Sequence, residues 1–178
     1  SGVTLTGSNT LQVRVEDAAG NSGTATSQSY TLDVTAAAPG MTLASDTGTS
    51  GTDKITSNNT INVTGLESGA TWQYSTNNGG NWTTGTGSSF TLTGDGAKSV
   101  LVRQTDAAGN RSVDSTYTFT LDTTVASPII ALSSDSGTSS TDKITNVGTV
   151  NVTGLESGAT WEYSTNNGGS WTAGSGSS

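Results

Sequence analysis

Shifted by 89 residues, the sequence lies over itself. Residues 36–89 and 125–178 align without a gap, and 38 of 54 positions are identical. Thr52-Asp53-Lys54-Ile55-Thr56 returns as Thr141-Asp142-Lys143-Ile144-Thr145, and Gly65 to Trp72 returns as Gly154 to Trp161. The other half repeats as well: Asp17-Ala18-Ala19-Gly20-Asn21 matches Asp106 to Asn110, and Thr31-Leu32-Asp33 matches Thr120-Leu121-Asp122. Self-similarity at one long period means a modular array, in which each unit must fold in the same way. Pro39 and Pro128 follow the strand that ends in Leu-Asp, where a linker is expected. The sequence therefore divides into the C-terminal part of one repeat at 1–35, a complete repeat at 36–124, and the N-terminal part of the next at 125–178. These incomplete ends read either as a cut through a longer array or as halves that pair between molecules.

Glycine, serine, threonine and asparagine dominate, and only 30 % of residues are hydrophobic. Disorder is one outcome of such a composition, but here the aromatics recur at fixed places between turn signals. Runs of five to eight residues rich in threonine and valine, separated by glycine or asparagine, read as an all-β chain. No window carries the 3.6-residue apolar period of a helix. No apolar run is long enough to cross a membrane, and no signal peptide opens the sequence, so an export signal or anchor is expected elsewhere. The formal charge is −8, with six basic residues scattered over the chain, which argues against nucleic acid as a partner. Without histidine or cysteine the usual general base, thiolate and transition-metal ligands are missing. Paired carboxylates hydrolyse glycosides in some enzymes, but the acidic residues here sit on loops and no feature builds a cleft. The chain reads as non-catalytic.

Within the complete repeat, strands are predicted near 40–44, 59–65, 70–76, 80–84, 89–93, 98–105 and 115–122. Seven short strands in about 90 residues, with turns every 8–12, match tandem immunoglobulin-like β-sandwiches arranged end to end. Alternation picks out the buried face: Met41 and Leu43, Ile61 and Val63, Trp72 and Tyr74, Phe90 and Leu92, Val100 and Val102, and Tyr117, Phe119 and Leu121. Where the copies differ, an inward position stays apolar (Ile61 against Val150) and outward ones vary (Gln73 against Glu162). Gln104, which is Val15 in the other copy, breaks the rule and is placed at the end of the core. Trp72 occupies the usual place of a core tryptophan. Ser75-Thr76-Asn77-Asn78-Gly79-Gly80-Asn81-Trp82 resembles the Asp-box hairpin (Ser-x-Asp-x-Gly-x-x-Trp), with Asn77 in the aspartate place. Trp82 is then either packed beneath its own turn, the reading adopted here, or a sugar-stacking ring.

The LDTT linker, the SDTGTSGTDKIT loop, the GLESGATWQYST strand pair and the TDAAGN hairpin together resemble the bacterial Ig-like repeats of giant biofilm-associated and RTX-type (type I secreted) adhesins. The resemblance covers the whole chain. It implies a secreted protein at the bacterial cell surface whose repeats form an extender toward a distal binding module. Neighbouring repeats are then the main partners, and surface glycans are left to other domains. It also implies Ca²⁺ at the domain junctions as the stiffening cofactor, with folding triggered after secretion into calcium-rich medium.

Tracing the sandwich alternately up and down groups the carboxylates. At the leading junction Asp33 should face Glu67 and Asp106. At the trailing junction Asp46, Asp53 and Asp122 should face Glu156 of the next unit. Calcium takes six to eight oxygens, several from carboxylates, so either cluster is a plausible start. The competing account is turn chemistry alone, since Asp-Ala-Ala-Gly-Asn closes a hairpin with no metal, and no EF-hand loop or GGxGxD repeat occurs. Three non-catalytic functions follow: an adhesin extender, a carbohydrate-binding module using Trp82 and Trp171, and a fibre formed by strand complementation between incomplete ends. Near-identical copies favour the extender, because identical spacers multiply freely whereas a ligand site would individualise one copy.

Overall fold

The computed structural model describes residues 2–176; Ser1, Ser177 and Ser178, at the outer ends of the two partial repeats, lie outside the described residues. The chain forms two compact units, Ser1–Thr123 and Thr124–Ser178. Among the described residues every regular element is a strand.

In the first unit, β1 (Asn9–Val13) and β2 (Thr26–Tyr30) form an antiparallel hairpin that belongs to the partial repeat. The complete repeat follows with β3 (Gly40–Leu43), β4 (Ile55–Thr56), β5 (Thr60–Thr64), β6 (Thr71–Ser75), β7 (Thr83–Thr84), β8 (Ser89–Thr91), β9 (Gly96–Thr105) and β10 (Ser115–Leu121). One sheet runs β3-β5-β8 and the other β4-β10-β9-β6-β7. The inward residues of the two sheets meet in one core: Met41, Ile61, Val63, Trp72, Phe90, Leu92, Val100, Val102, Phe119 and Leu121, with Leu43, Tyr74 and Tyr117 partly buried beside them. This is the sandwich and the inward set that alternation predicts. Trp72 anchors it, with its ring centroid 5.9 Å from that of Phe90 and its indole N–H donating to the Gly87 carbonyl at 2.9 Å. Burying that N–H with a partner removes the penalty a bare indole would carry.

Two strands differ from the sequence reading. The region expected at 80–84 pairs only at Thr83–Thr84, because the turn before it consumes the preceding residues in its own hydrogen bonds. The segment read as a loop at 45–55 ends in β4, which pairs parallel with β10, Ile55 beside Thr120 and Thr56 beside Leu121. The chain thus leaves one sheet after β3 and joins the other at β4. Lys54 enters that crossing with φ 61°, a left-handed conformation that costs a non-glycine residue about 1–2 kcal/mol. It is offset by the Lys54 N–H donating to the Asp46 carboxylate at 3.0 Å and by the Lys54 ammonium lying 4.9 Å over the Tyr117 ring. The conformation recurs at Lys143, φ 61°, whose N–H donates to Asp135 at 3.0 Å.

The second unit contains β11 (Ile129–Leu132) paired with β12 (Val150–Thr153), and β13 (Glu162–Tyr163) paired with β14 (Thr172–Ala173). These are the copies of β3, β5, β6 and β7 at the 89-residue shift.

Candidate functional site at the leading end of the complete repeat

The TDAAGN hairpin follows β9, and its aspartate is tied by its own turn. Asp106 accepts from the Asn110 backbone N–H and from the Asn110 side-chain amide, both at 2.8 Å. The Asn110 side-chain bond is the largest cause holding the Asp106 carboxyl below the ordinary carboxylate value, against an opposing contribution from burial. Asp17 in the preceding copy is lowered in the same way, first by the Asn21 side chain. The remaining amide hydrogen of Asn110 reaches the Asp33 carbonyl at 3.0 Å, which binds the hairpin to the end of the preceding repeat.

Glu67 lies on the turn between β5 and β6. Its carboxylate accepts from the Ala37 N–H at 2.6 Å, pinning the linker just before Pro39. Asp33, Glu67 and Asp106 each offer a carboxylate oxygen, and the three oxygens lie within 4.8 Å of one another. Asp33 is exposed, Glu67 half-buried and Asp106 buried. Two oxygens bound to one Ca²⁺ at 2.3–2.6 Å are separated by no more than about 5.2 Å, so the spacing fits a single cation. Three carboxylates supply fewer than the six to eight oxygens calcium takes; carbonyls and water would provide the others. Placing three like charges this close raises their mutual repulsion, which a divalent cation would relieve.

The structure therefore brings Asp33, Glu67 and Asp106 together as the strand tracing expects. It does not gather Asp46, Asp53 and Asp122 in the same way: among the described residues only the first trio meets that spacing. Asp46 accepts from Lys54 N–H through Oδ2 and Asp53 from Ile55 N–H through Oδ1, both at 3.0 Å, so one oxygen of each helps shape the 45–55 crossing, while Asp46 Oδ1 is buried without a hydrogen-bond partner. Asp122 does return to the same end, its N–H donating to the Thr56 carbonyl at 2.9 Å. Glu156 belongs to the second unit, where it accepts from the Ala126 N–H at 2.7 Å, the counterpart of the Glu67–Ala37 bond.

Two residues hold the linkers: Gln104, which the sequence places at the end of the core without showing its role there, and Asp95, which it does not single out. Gln104 is only 1 % exposed. Its side-chain oxygen accepts from the Glu67 N–H at 2.9 Å, while its amide donates to the carbonyls of Ala37 at 2.7 Å and Gly65 at 3.2 Å. It is a polar clasp at the end of the core, joining linker, turn and β9. The signal was present: a glutamine interrupts an apolar alternation and becomes valine in the other copy. At the opposite end Asp95 accepts from Thr123, backbone N–H at 3.0 Å and hydroxyl at 2.7 Å.

Trp82 is half-buried. The Arg103 guanidinium lies 3.6 Å over its ring and donates twice to the Gln73 side-chain oxygen, at 3.1 and 2.9 Å. One ring face is thus covered by a cation rather than offered to a sugar. The turn beneath it follows the Asp-box-like spacing: Ser75 Oγ accepts from the Gly79 N–H at 2.9 Å and Asn77 Oδ1 from the Asn81 N–H at 2.8 Å.

A two-sheet β-sandwich in which the first edge crosses between sheets defines an immunoglobulin-like domain. The family of bacterial Ig-like domains matches residues 34–123, and the chain belongs to that family. Domains of this kind fit extracellular or surface proteins. No curated protein matches the chain.

Proposed function

We propose that this chain is an extender segment of a large secreted bacterial surface adhesin, and that cations at its junctions, calcium first among them, stiffen it. One observation carries the reading. In two successive copies a glutamate on the turn after the β5-type strand clamps the incoming linker, Glu67 to Ala37 at 2.6 Å and Glu156 to Ala126 at 2.7 Å. A module that fastens its own linker in the same way each time sets a repeated path for the chain, which is what a spacer requires. The covered face of Trp82 weakens the carbohydrate reading.

Two measurements test this. Arrays of increasing repeat number, studied by small-angle scattering, should lengthen in proportion to that number; growth as its square root would mean a flexible string and would sink the stiff-extender reading. For the cation, a thermal melt in millimolar Ca²⁺ is compared with one in EDTA. Binding to the folded state alone stabilises it by about 2.7 kcal/mol at a hundred times Kd. A rise that magnesium does not reproduce, and that Asp33→Asn with Glu67→Gln abolishes, supports calcium at the leading junction. No rise leaves these carboxylates as turn and linker residues.

A further inference from the structure

We infer that the complete repeat carries a groove for an acidic sugar residue, centred on Lys98 and separate from Trp82. The groove has a volume of about 480 Å³ and is lined from both sheets. Tyr74 comes from β6 and Thr76 from the residue just after it, Thr83 from β7, Thr91 from β8, Thr93 from the turn that follows, and Lys98 from β9. β7 and β8 are edge strands of their two sheets and run for only two and three residues. Edges that short leave the space between the sheets open on this side.

The lining is polar where the core is apolar. Lys98 stands on the inward side of β9, in step with the fully buried Val100 and Val102, where period two calls for an apolar residue. It is half-buried, and among the described residues its ammonium makes one hydrogen bond, to the Thr93 carbonyl at 3.3 Å. An ammonium has three donors, so two remain for a ligand. No carboxylate lines the groove. Asp95, on the turn between β8 and β9, is engaged with Thr123, and Asp53 lines a neighbouring depression in company with Lys54. In a chain of formal charge −8 this groove offers a cation and no acid.

The ligand class follows from that lining. Thr76, Thr83, Thr91 and Thr93 are exposed, Tyr74 is half-buried, and none of their hydroxyls is held by another protein group among the described residues. A hydroxyl both donates and accepts, so a row of them suits a partner that is itself dense in hydroxyls. Lys98 adds a place for one carboxylate, through a charge-assisted bond about twice as strong as a neutral one. The Tyr74 ring is stacked on Phe90 with centroids 4.2 Å apart, which gives the groove a fixed aromatic wall. Its volume lies within the span of small-molecule sites, about 300–1,000 Å³. A polyol ring bearing one carboxylate is a uronic-acid residue of a polysaccharide. The repeat also marks this copy: Lys98 is Asn9 one period earlier, whereas Val100 and Val102 stay apolar as Leu11 and Val13. Core positions are kept while the cation is not, as a site confined to one module requires. The inference goes beyond the extender role and does not depend on it.

The test uses the full chain and NMR amide shifts, titrated with a trisaccharide of galacturonic acid, with the trisaccharide of galactose, and with acetate. The acidic trisaccharide should move the amides of Tyr74, Thr91 and Lys98 in a saturable way. The other two should bind about tenfold more weakly or worse, the ratio set by losing one charge-assisted hydrogen bond or the hydroxyl contacts. Lys98→Gln should cost the same factor, and Lys98→Arg should keep most of the affinity. Thr83→Val with Thr91→Val should weaken binding while the melt stays as in the parent. No saturable shift, equal affinity for the galactose trisaccharide or for acetate, or unchanged affinity in Lys98→Gln would each overturn the inference. Shifts confined to the Trp82 amide and indole would also overturn it, and would return the sugar to the stacking ring.

Discussion

Gly85 sits where the structure leaves no room for a side chain. A β-carbon built there would lie 2.2 Å from two indole carbons of Trp72 and 2.3 Å from a third. Carbon atoms pack at about 3.5–4.0 Å, so Gly85→Ala forces a displacement of more than an ångström. Neither side yields easily. The Gly85 N–H donates to the Trp72 carbonyl at 2.9 Å, which holds the backbone, and the indole is 3 % exposed with its N–H bonded to Gly87. Ordinary overpacking costs about 1–3 kcal/mol, and loss of a buried tryptophan about 3–5 kcal/mol. The alanine variant should fall near the junction of these ranges, about 3 kcal/mol. For a repeat of this size that lowers the melting temperature by roughly 12–24 °C. Circular dichroism melts of the full chain would read it. Gly87→Ala separates sterics from backbone strain, because Gly87 has φ +62° but nothing within 4 Å of its β-carbon position, and should cost about 1 kcal/mol. Trp72→Leu combined with Gly85→Ala should cost less than the sum of the two changes. A Gly85→Ala chain that melts within about 2 °C of the parent would refute the close-approach argument.

Gln104→Leu removes three hydrogen bonds and strands the Glu67 N–H and two carbonyls, so denaturant unfolding should show a loss of about 2–3 kcal/mol. Asp106 has its carboxyl held below the ordinary value, mainly by Asn110, so its contribution to stability is present above about pH 4 and lost as pH falls through the lowered folded value. Asp106→Asn should therefore melt lower than the parent near neutrality, and melts taken at decreasing pH should show that gap closing in acid. A double-mutant cycle of Trp82→Leu and Arg103→Met should return a coupling of about 0.5–1 kcal/mol for the stacked pair; zero coupling would mean that the guanidinium only passes over the ring.

The sandwich was legible because its core is written twice in period two. Ile61 and Val63 alternate with Asn62 and Thr64, Val100 and Val102 with Leu101 and Arg103, and the repeat shows which positions tolerate change. The crossing strand β4 was not legible, because two residues carry no period. Ile55 and Thr56 are extended only since β10 accepts them, and the signal that Thr56 is buried comes from its hydroxyl donating to the Ser45 carbonyl at 2.7 Å. A strand made by its partner rather than by its own pattern escapes any local reading.

The acidic residues show the same division between placement and chemistry. Topology alone carries Asp33, Glu67 and Asp106 to one end, because turns at alternate ends of a sandwich follow from strand count. What topology does not carry is how many carboxylate oxygens remain free once the turns have formed. Glu67 gives one oxygen to Ala37, and Asp106 uses both of its oxygens on Asn110. Each oxygen keeps a further lone pair, so a cation would share these groups with N–H donors rather than displace them. The donors already oppose the repulsion that would otherwise demand a metal. The trio can thus exist as linker and hairpin fastenings first, and cation binding would tighten a junction that is already tied. Asp46 and Asp53 mark the other limit. Each gives one oxygen to the backbone of its own loop and keeps the other, Asp46 Oδ1 buried without a hydrogen-bond partner. Yet among the described residues only Asp33, Glu67 and Asp106 meet at the spacing of one cation, so placement and not free oxygens separates the two ends.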